Sequence, residues 1–140
     1  GVMELWSYGV MELWSYGVVM KIERFEDIVA WQKARALTAD IYRTTCKGSF
    51  GKDYGLSDQI RRASSSTMHN IAEGFDAGST AEFIRFLRYS YRSAGEVQSE
   101  LYVAMDVGYI SEEVFNQFYE AASEIKKLIS GFIKYLLTQK

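Results

Sequence analysis

From Phe25 onward the apolar residues recur with the period of a helix. Ile28, Trp31, Thr38 and Ile41 share one stripe, and Glu26 and Asp27 stand where a first turn favours acids. This predicts a first helix over about residues 26–46. Residues 47–55 carry three glycines and read as a connection. A second stripe, Leu56, Ile60, Ala63, Thr67 and Ile71, predicts a helix over about 56–74, closed by the run Gly74-Phe75-Asp76-Ala77-Gly78. Ser79 followed by Glu82 has the spacing of a capping box, in which hydroxyl and carboxylate satisfy reciprocal backbone donors.

The third predicted helix, about 80–108, has the clearest pattern. Phe83, Leu87, Ser90, Ala94, Val97, Leu101, Ala104 and Gly108 alternate spacings of four and three, a heptad seam. Ser111 then caps a fourth helix, about 112–138, with the seam Phe115, Phe118, Ala122, Ile125, Ile129, Phe132 and Leu136. Short connections between helices of this length place neighbours antiparallel. The expected fold is therefore all-α, an antiparallel up-down-up-down four-helix bundle. A length of 140 residues suits one such domain, and the absence of proline leaves every helix unbroken.

Both long C-terminal helices hold more apolar surface than one seam uses. Tyr91, Tyr102 and Met105 are offset from the third helix's seam, and Val114, Leu128 and Tyr135 form a second row on the fourth. Such width means a thick internal core or a face between subunits, and these six residues are the candidate oligomer face of a homo-oligomer. Ahead of Met20 lies a different pattern. The octapeptide GVMELWSY occurs twice without change over residues 1–16, and residues 17–18 begin a third copy. Repeat folds use longer, diverged units, so residues 1–20 read as a duplicated extension of a single domain spanning 21–140. The alternative is an apolar arm, carrying Leu5, Trp6, Leu13 and Trp14, that docks on a neighbouring subunit.

A net charge of -2 excludes a surface that is uniformly a polyanion-binding field, so any nucleic-acid contact must be local. The charges are nevertheless sorted. Arg85, Arg88 and Arg92 stand at helical spacing, and between Arg92 and Lys126 there are seven acids and no base. In an antiparallel hairpin the acids gather at one end, and Arg85, Arg88, Arg92, Lys126, Lys127 and Lys134 at the other. The first two helices show the opposite polarity, which predicts charge complementarity between the two halves. The candidates for phosphate contact are Arg61, Arg62, Arg85, Arg88 and Arg92.

Chemistry of other kinds finds little footing. One histidine, His69, cannot supply the paired Glu-x-x-His motifs of a di-iron bundle. The hydroxyls of Ser64, Ser65, Ser66 and Thr67 read as small residues that let helices approach. The glycines at 48, 51 and 55 precede no GK[ST] element. The expectation is no catalytic residue, no metal, no cofactor and no enzyme. A lone Cys46 excludes an internal disulfide, and no apolar run reaches membrane length. A cytoplasmic protein with no membrane role is expected.

Several motifs in order complete the reading. Phe25-Glu26-Asp27, Trp31-Gln32-Lys33-Ala34, Tyr54-Gly55-Leu56, Gln59-Ile60-Arg61-Arg62-Ala63 and Asn70-Ile71-Ala72-Glu73-Gly74 are followed by Glu82-Phe83, Phe86-Leu87, Glu96, Leu101 and Gly108-Tyr109-Ile110-Ser111. Over about residues 25–137 the chain resembles the bacterial 23S rRNA intervening-sequence protein family. The resemblance implies a four-helix bundle that forms ring-like pentamers, and a binding role toward RNA or DNA. Through a relative, the accessory variability determinant of diversity-generating retroelements, it also implies a reverse transcriptase as a possible partner. The rival expectation is a protein-binding scaffold without nucleic-acid affinity. One departure from the family pattern is Met68, where a proline is usual in the second helix.

Overall fold

The computed structural model describes the backbone of residues 2–7, 10–15 and 18–138, and side chains from residue 22 to 138. Three short strands come first: β1 (Val2–Ser7), β2 (Val10–Ser15) and β3 (Val18–Ile22). They form an antiparallel sheet in the order β1-β2-β3, with Val2 opposite Ser15 and Met11 opposite Ile22. The all-α expectation is therefore corrected for this segment. The two octapeptide copies pair with each other, because a short run rich in Val, Leu and Trp lacks the length for a helix and favours strand. The suggested arm residues Leu5, Trp6, Leu13 and Trp14 have side chains outside the described residues.

From Phe25 the chain is helical. A single 3-10 turn at Phe25–Asp27 leads into α1 (Val29–Thr45), a short α2 (Gly48–Lys52), α3 (Tyr54–Asp76), α4 (Thr80–Asp106) and α5 (Glu112–Leu137). The expected connection over 47–55 thus contains one helical turn of its own. Each of the three longest helices starts on a side-chain cap: Asp53 accepts from the Leu56 N–H, Ser79 from Glu82 and Ser111 from Val114. α4 ends where Gly108 adopts φ +83°, with its N–H donating to Met105 O and that of Tyr109 to Ala104 O. That is a Schellman cap, so Gly108 stops the helix and does not extend its seam. Met68 leaves α3 continuous.

One core runs the length of the four long helices. It contains Ile28 just before α1, Trp31, Leu37 and Ile41 from α1, Ile60, Ile71 and Phe75 from α3, Phe83, Leu87, Val97 and Leu101 from α4, and Phe115, Ile125, Ile129 and Leu136 from α5. On α5 the buried residue is Ile133, whereas the expected Phe132 is half-buried and lies 5.2 Å, centroid to centroid, from the Phe83 ring. Polar contacts fix how the helices pair. Thr38 Oγ1 donates to Ser64 O at 3.0 Å and Arg61 Nε to Thr45 Oγ1 at 2.7 Å. Ser90 Oγ donates to Thr67 O at 2.6 Å, and Ser66 and Ser93 share a hydroxyl bond of 2.9 Å. Gln98 Nε2 donates to Ser123 Oγ at 2.8 Å, and the Tyr102 ring meets Phe115 at 4.8 Å. In every pair residue numbers rise on one helix as they fall on the other.

α3 ends at Asp76, inside the run 74–78 expected to close it, and Gly74 in its last turn is where α4 packs closely against it. A Cβ there would stand 2.8 Å from Phe86 Cβ and 2.9 Å from Phe83 Cδ1. At one end of the bundle the connection before α3 is clipped to the α4–α5 turn. The Phe50 ring stacks on Tyr109 at 5.2 Å, and the Tyr109 hydroxyl donates to Asp53 at 2.8 Å. The Leu56 N–H and then that hydroxyl hold the Asp53 carboxyl below its usual value, and the same bond raises the Tyr109 hydroxyl.

Candidate nucleic-acid interface

The five candidate arginines do not form one cluster, and their surroundings sort them. Arg61 is half-buried between α1 and α3, its guanidinium 4.9 Å from the Tyr42 ring centroid while it bonds Thr45. It braces two helices. Arg62 is exposed but paired with Asp58 one turn back at 2.8 Å. Arg85 binds both oxygens of Glu82, at 3.3 and 2.7 Å, and donates to the Tyr89 hydroxyl at 3.2 Å. These bonds push the Glu82 carboxyl down and the Arg85 guanidinium up, so both charges are neutralised locally.

Arg88 and Arg92 differ. They stand one turn apart on α4 and line a cavity of about 350 Å³ between α4 and α5, with Lys134 opposite. All three are exposed, and none has an ion-pair partner among the described residues. Among the described residues no acidic side chain lines the cavity. Its remaining wall is Tyr91, Ser130, Ile133 and Leu137. Tyr91 is 40% exposed, and Lys126 Nζ lies 4.8 Å from its ring centroid, held by Gln98 Oε1 at 3.2 Å. The groove therefore combines three uncompensated positive charges with an aromatic and aliphatic wall. Such a site attracts anions, and a phosphate that carries an apolar group above all.

A second cavity of about 370 Å³, lined by Thr44, Lys47, Ser49, Tyr109 and Ser111 among others, lies beside the α4–α5 turn. Ile110 and Val114 line it too, but it offers a single cation, Lys47, and so lacks the cluster of charge that marks the first. That end also holds Glu100, half-buried with an Oε2 that finds no hydrogen-bond partner among the described residues. Burial, helped by the charge of Glu96, pushes its carboxyl up to about 7.

The remaining sequence-derived residues fall as follows. Of the candidate oligomer face, Met105, Val114, Leu128 and Tyr135 are half-buried and pack against the core. Tyr102 stays 48% exposed, and Tyr91 belongs to the cationic groove. The expected complementarity between the two halves yields one ion pair between long helices among the described residues, Lys33 with Glu124 at 3.0 Å. Other charged pairs close locally along one helix, because partners three or four residues apart meet without bridging helices. Ser64, Ser66 and Thr67 use their hydroxyls on Arg61 O, Ser93 and Ala63 O. Cys46 is exposed, its Sγ 3.1 Å from Arg43 O. No helix among the described residues is long and apolar enough to cross a membrane. The antiparallel hairpin puts Lys134 at the same end as Arg88 and Arg92, as the sequence predicts, whereas the apolar lining residues Ile133 and Leu137 carry no comparable sequence signal. The signal that points to Lys134 is its heptad spacing from Lys127 on the face opposite Arg88 and Arg92.

Residues 26–131 match the family model described as 23S rRNA-intervening sequence protein. That span holds Arg88, Tyr91 and Arg92, while Lys134 and Leu137 lie just beyond it. Among solved structures, the chain is similar to a protein of unknown function from the S23 ribosomal protein family of Bacteroides thetaiotaomicron VPI-5482. The TM-score is 0.71 at 28% identity, with 76% of this chain and 96% of that chain covered. A comparison with curated proteins gave no match.

Proposed function

The chain belongs to the 23S rRNA-intervening sequence protein family, and from that premise we propose that it is a non-catalytic RNA-binding subunit of the cytoplasm whose α4–α5 groove grips phosphates. One observation carries the reading. Arg88, Arg92 and Lys134 share a cavity without an acidic partner among the described residues, whereas Arg61, Arg62 and Arg85 are each engaged elsewhere. Exposed arginines beside helical acids normally pair with them, so three unpaired cations around one hollow are suited to an external anion.

The test is RNA retention by gel shift across a salt series. Phosphate contacts release counterions, and each contact contributes about 0.7 to the log–log salt slope on single strands. Replacing Arg88, Arg92 and Lys134 by Gln is expected to lower that slope by about 2, while R61Q/R62Q leaves it unchanged. An unchanged slope in the triple variant would move the function to a protein-binding scaffold.

The bundle is also proposed to be up-down-up-down and to assemble from like subunits, as a pentamer. The opposing residue order of the helix contacts supports the first statement, and the exposed Tyr102 beside Phe115 and Tyr119 supports the second. Light scattering on the eluting protein reads the subunit number directly. A monomer at all concentrations would dismiss the assembly and leave the groove reading intact.

A further inference from the structure

We propose that the α4–α5 groove is a single-nucleotide subsite, which takes one unstacked base with its phosphate and so selects single-stranded over duplex RNA. This rests on the phosphate-binding reading above and adds the chemistry of the ligand. A cavity of about 350 Å³ is at the small end of ligand-sized pockets, and its mouth is a cleft between two helices. A duplex cannot enter such a cleft. Its phosphates would meet only the rim, and its stacked bases would leave the apolar wall wet.

That wall is what a purely electrostatic site does not need. Leu137 is 58% exposed and Tyr91 40% exposed, with buried Ile133 lining the same cavity. The cations and the Ser130 hydroxyl line it too, so phosphate and base can be satisfied together. Splayed bases of loops and single strands are read by this combination of aromatic surface and cation.

The experiment compares the intact chain with Y91A and L137S, both at exposed positions, on a single-stranded RNA and on the same RNA annealed to its complement. Removing a stacking surface weakens single-strand binding by roughly five- to a hundredfold. The salt slope should not change, since no phosphate contact is touched. Competition should be stronger with AMP than with ribose 5-phosphate. Equal retention of duplex and single strand, or Y91A and L137S binding like the unaltered chain, would overturn the subsite while the cation variants still test the broader reading. A flat response to the cation variants as well would remove both.

Independently of the bundle, we infer that the octapeptide is written in the gene as a tandem octanucleotide. The codons GGA GTT ATG GAG TTA TGG AGT TAT spell Gly-Val-Met-Glu-Leu-Trp-Ser-Tyr, and they are GGAGTTAT repeated three times. Because eight and three share no factor, such a repeat passes through all three frames and returns after eight codons. No frame meets a stop. Methionine and tryptophan have one codon each, and both fall in place, which an octapeptide chosen for its side chains has no reason to satisfy. The order of residues 1–16 is thus set by a nucleotide period, and the pairing of β1 with β2 follows from it. Sequencing the gene decides the matter. An unbroken GGAGTTAT period across both copies is expected, and a synonymous codon that breaks it in either copy would refute the inference.

Discussion

Replacing Gly74 and Gly131 by alanine makes the same chemical change at two helical positions, and the two are expected to move stability in opposite directions. At Gly131 the added methyl would meet nothing within 4 Å beyond its own helix backbone and chain neighbours, so the change removes only the entropic penalty of glycine in a helix, about 0.5–1 kcal/mol. At Gly74 the same gain is available, but the methyl would sit 2.8 Å from Phe86 Cβ, 2.9 Å from Phe83 Cδ1 and 3.3 Å from Phe83 O. These neighbours cannot swing away: one is the root of a side chain, one is a ring with no exposed surface, and one is backbone. Relief requires α3 and α4 to part, and overpacking of this kind costs about 1–3 kcal/mol. The net expectation for G74A is a loss of roughly 1–2 kcal/mol, or about 3–10 °C in melting midpoint for a chain of this size. Urea unfolding followed by far-UV circular dichroism reads both variants, with the m-value as control for the denatured state. If G74A were as stable as the unaltered chain, the close approach of the two helices would not exist as described.

Two further expectations concern charge. Glu100 has its folded-state carboxyl raised to about 7 from 4.5, so the folded chain binds the extra proton between these values and stability falls as pH rises through that window. E100Q should therefore stabilise at pH 8, by roughly 1–2 kcal/mol once solvent screening is allowed for, and be neutral near pH 4.5; an equal effect at both pH values would contradict it. The exposed Lys33–Glu124 pair should show a coupling of only about 0–1 kcal/mol in a double-mutant cycle, vanishing in high salt, and a larger salt-independent term would show the pair to be more buried than it stands.

How far the residues announced this arrangement depends on the scale of the interaction. Ser90, Ala94 and Val97 sit where a heptad seam put them, because burial follows periodicity over many residues. The seam failed by one position near its end, at Ile133 for Phe132. A true helix drifts by about 20° per heptad against the strict 3.5 repeat, so after two and a half heptads the buried line has moved toward the next residue. The arginines were legible only in part. Arg62 with Asp58 and Arg85 with Glu82 are pairs at helical spacing that could be counted out in advance. Arg61 with Thr45 joins residues sixteen apart, and although the antiparallel hairpin already put Lys134 at the end that holds Arg88 and Arg92, their sharing of one hollow depends on the register of two helices. The strands at residues 2–22 have a weaker signal: exact repetition marks duplication and carries no period of its own, and only the content of Val, Leu and Trp favours strand.

The groove also bears on stability, and this separates a binding site from an accident of packing. Arg88 and Arg92 are like charges one helical turn apart, a spacing that destabilises by about 0.2–0.5 kcal/mol, and Lys134 adds a third charge to the same hollow. A surface shaped for stability alone would place an acid there, as it does at Glu82 beside Arg85. R88Q and R92Q are therefore expected to raise the melting temperature slightly at low ionic strength and to leave it unchanged at high salt, where the repulsion is screened. The same substitutions are expected to weaken RNA retention. Gain in stability together with loss of binding is the signature of a functional charge cluster. If either variant were less stable at low salt, the guanidinium would hold the fold together through a contact of its own, and the groove would lose its claim to be waiting for an anion.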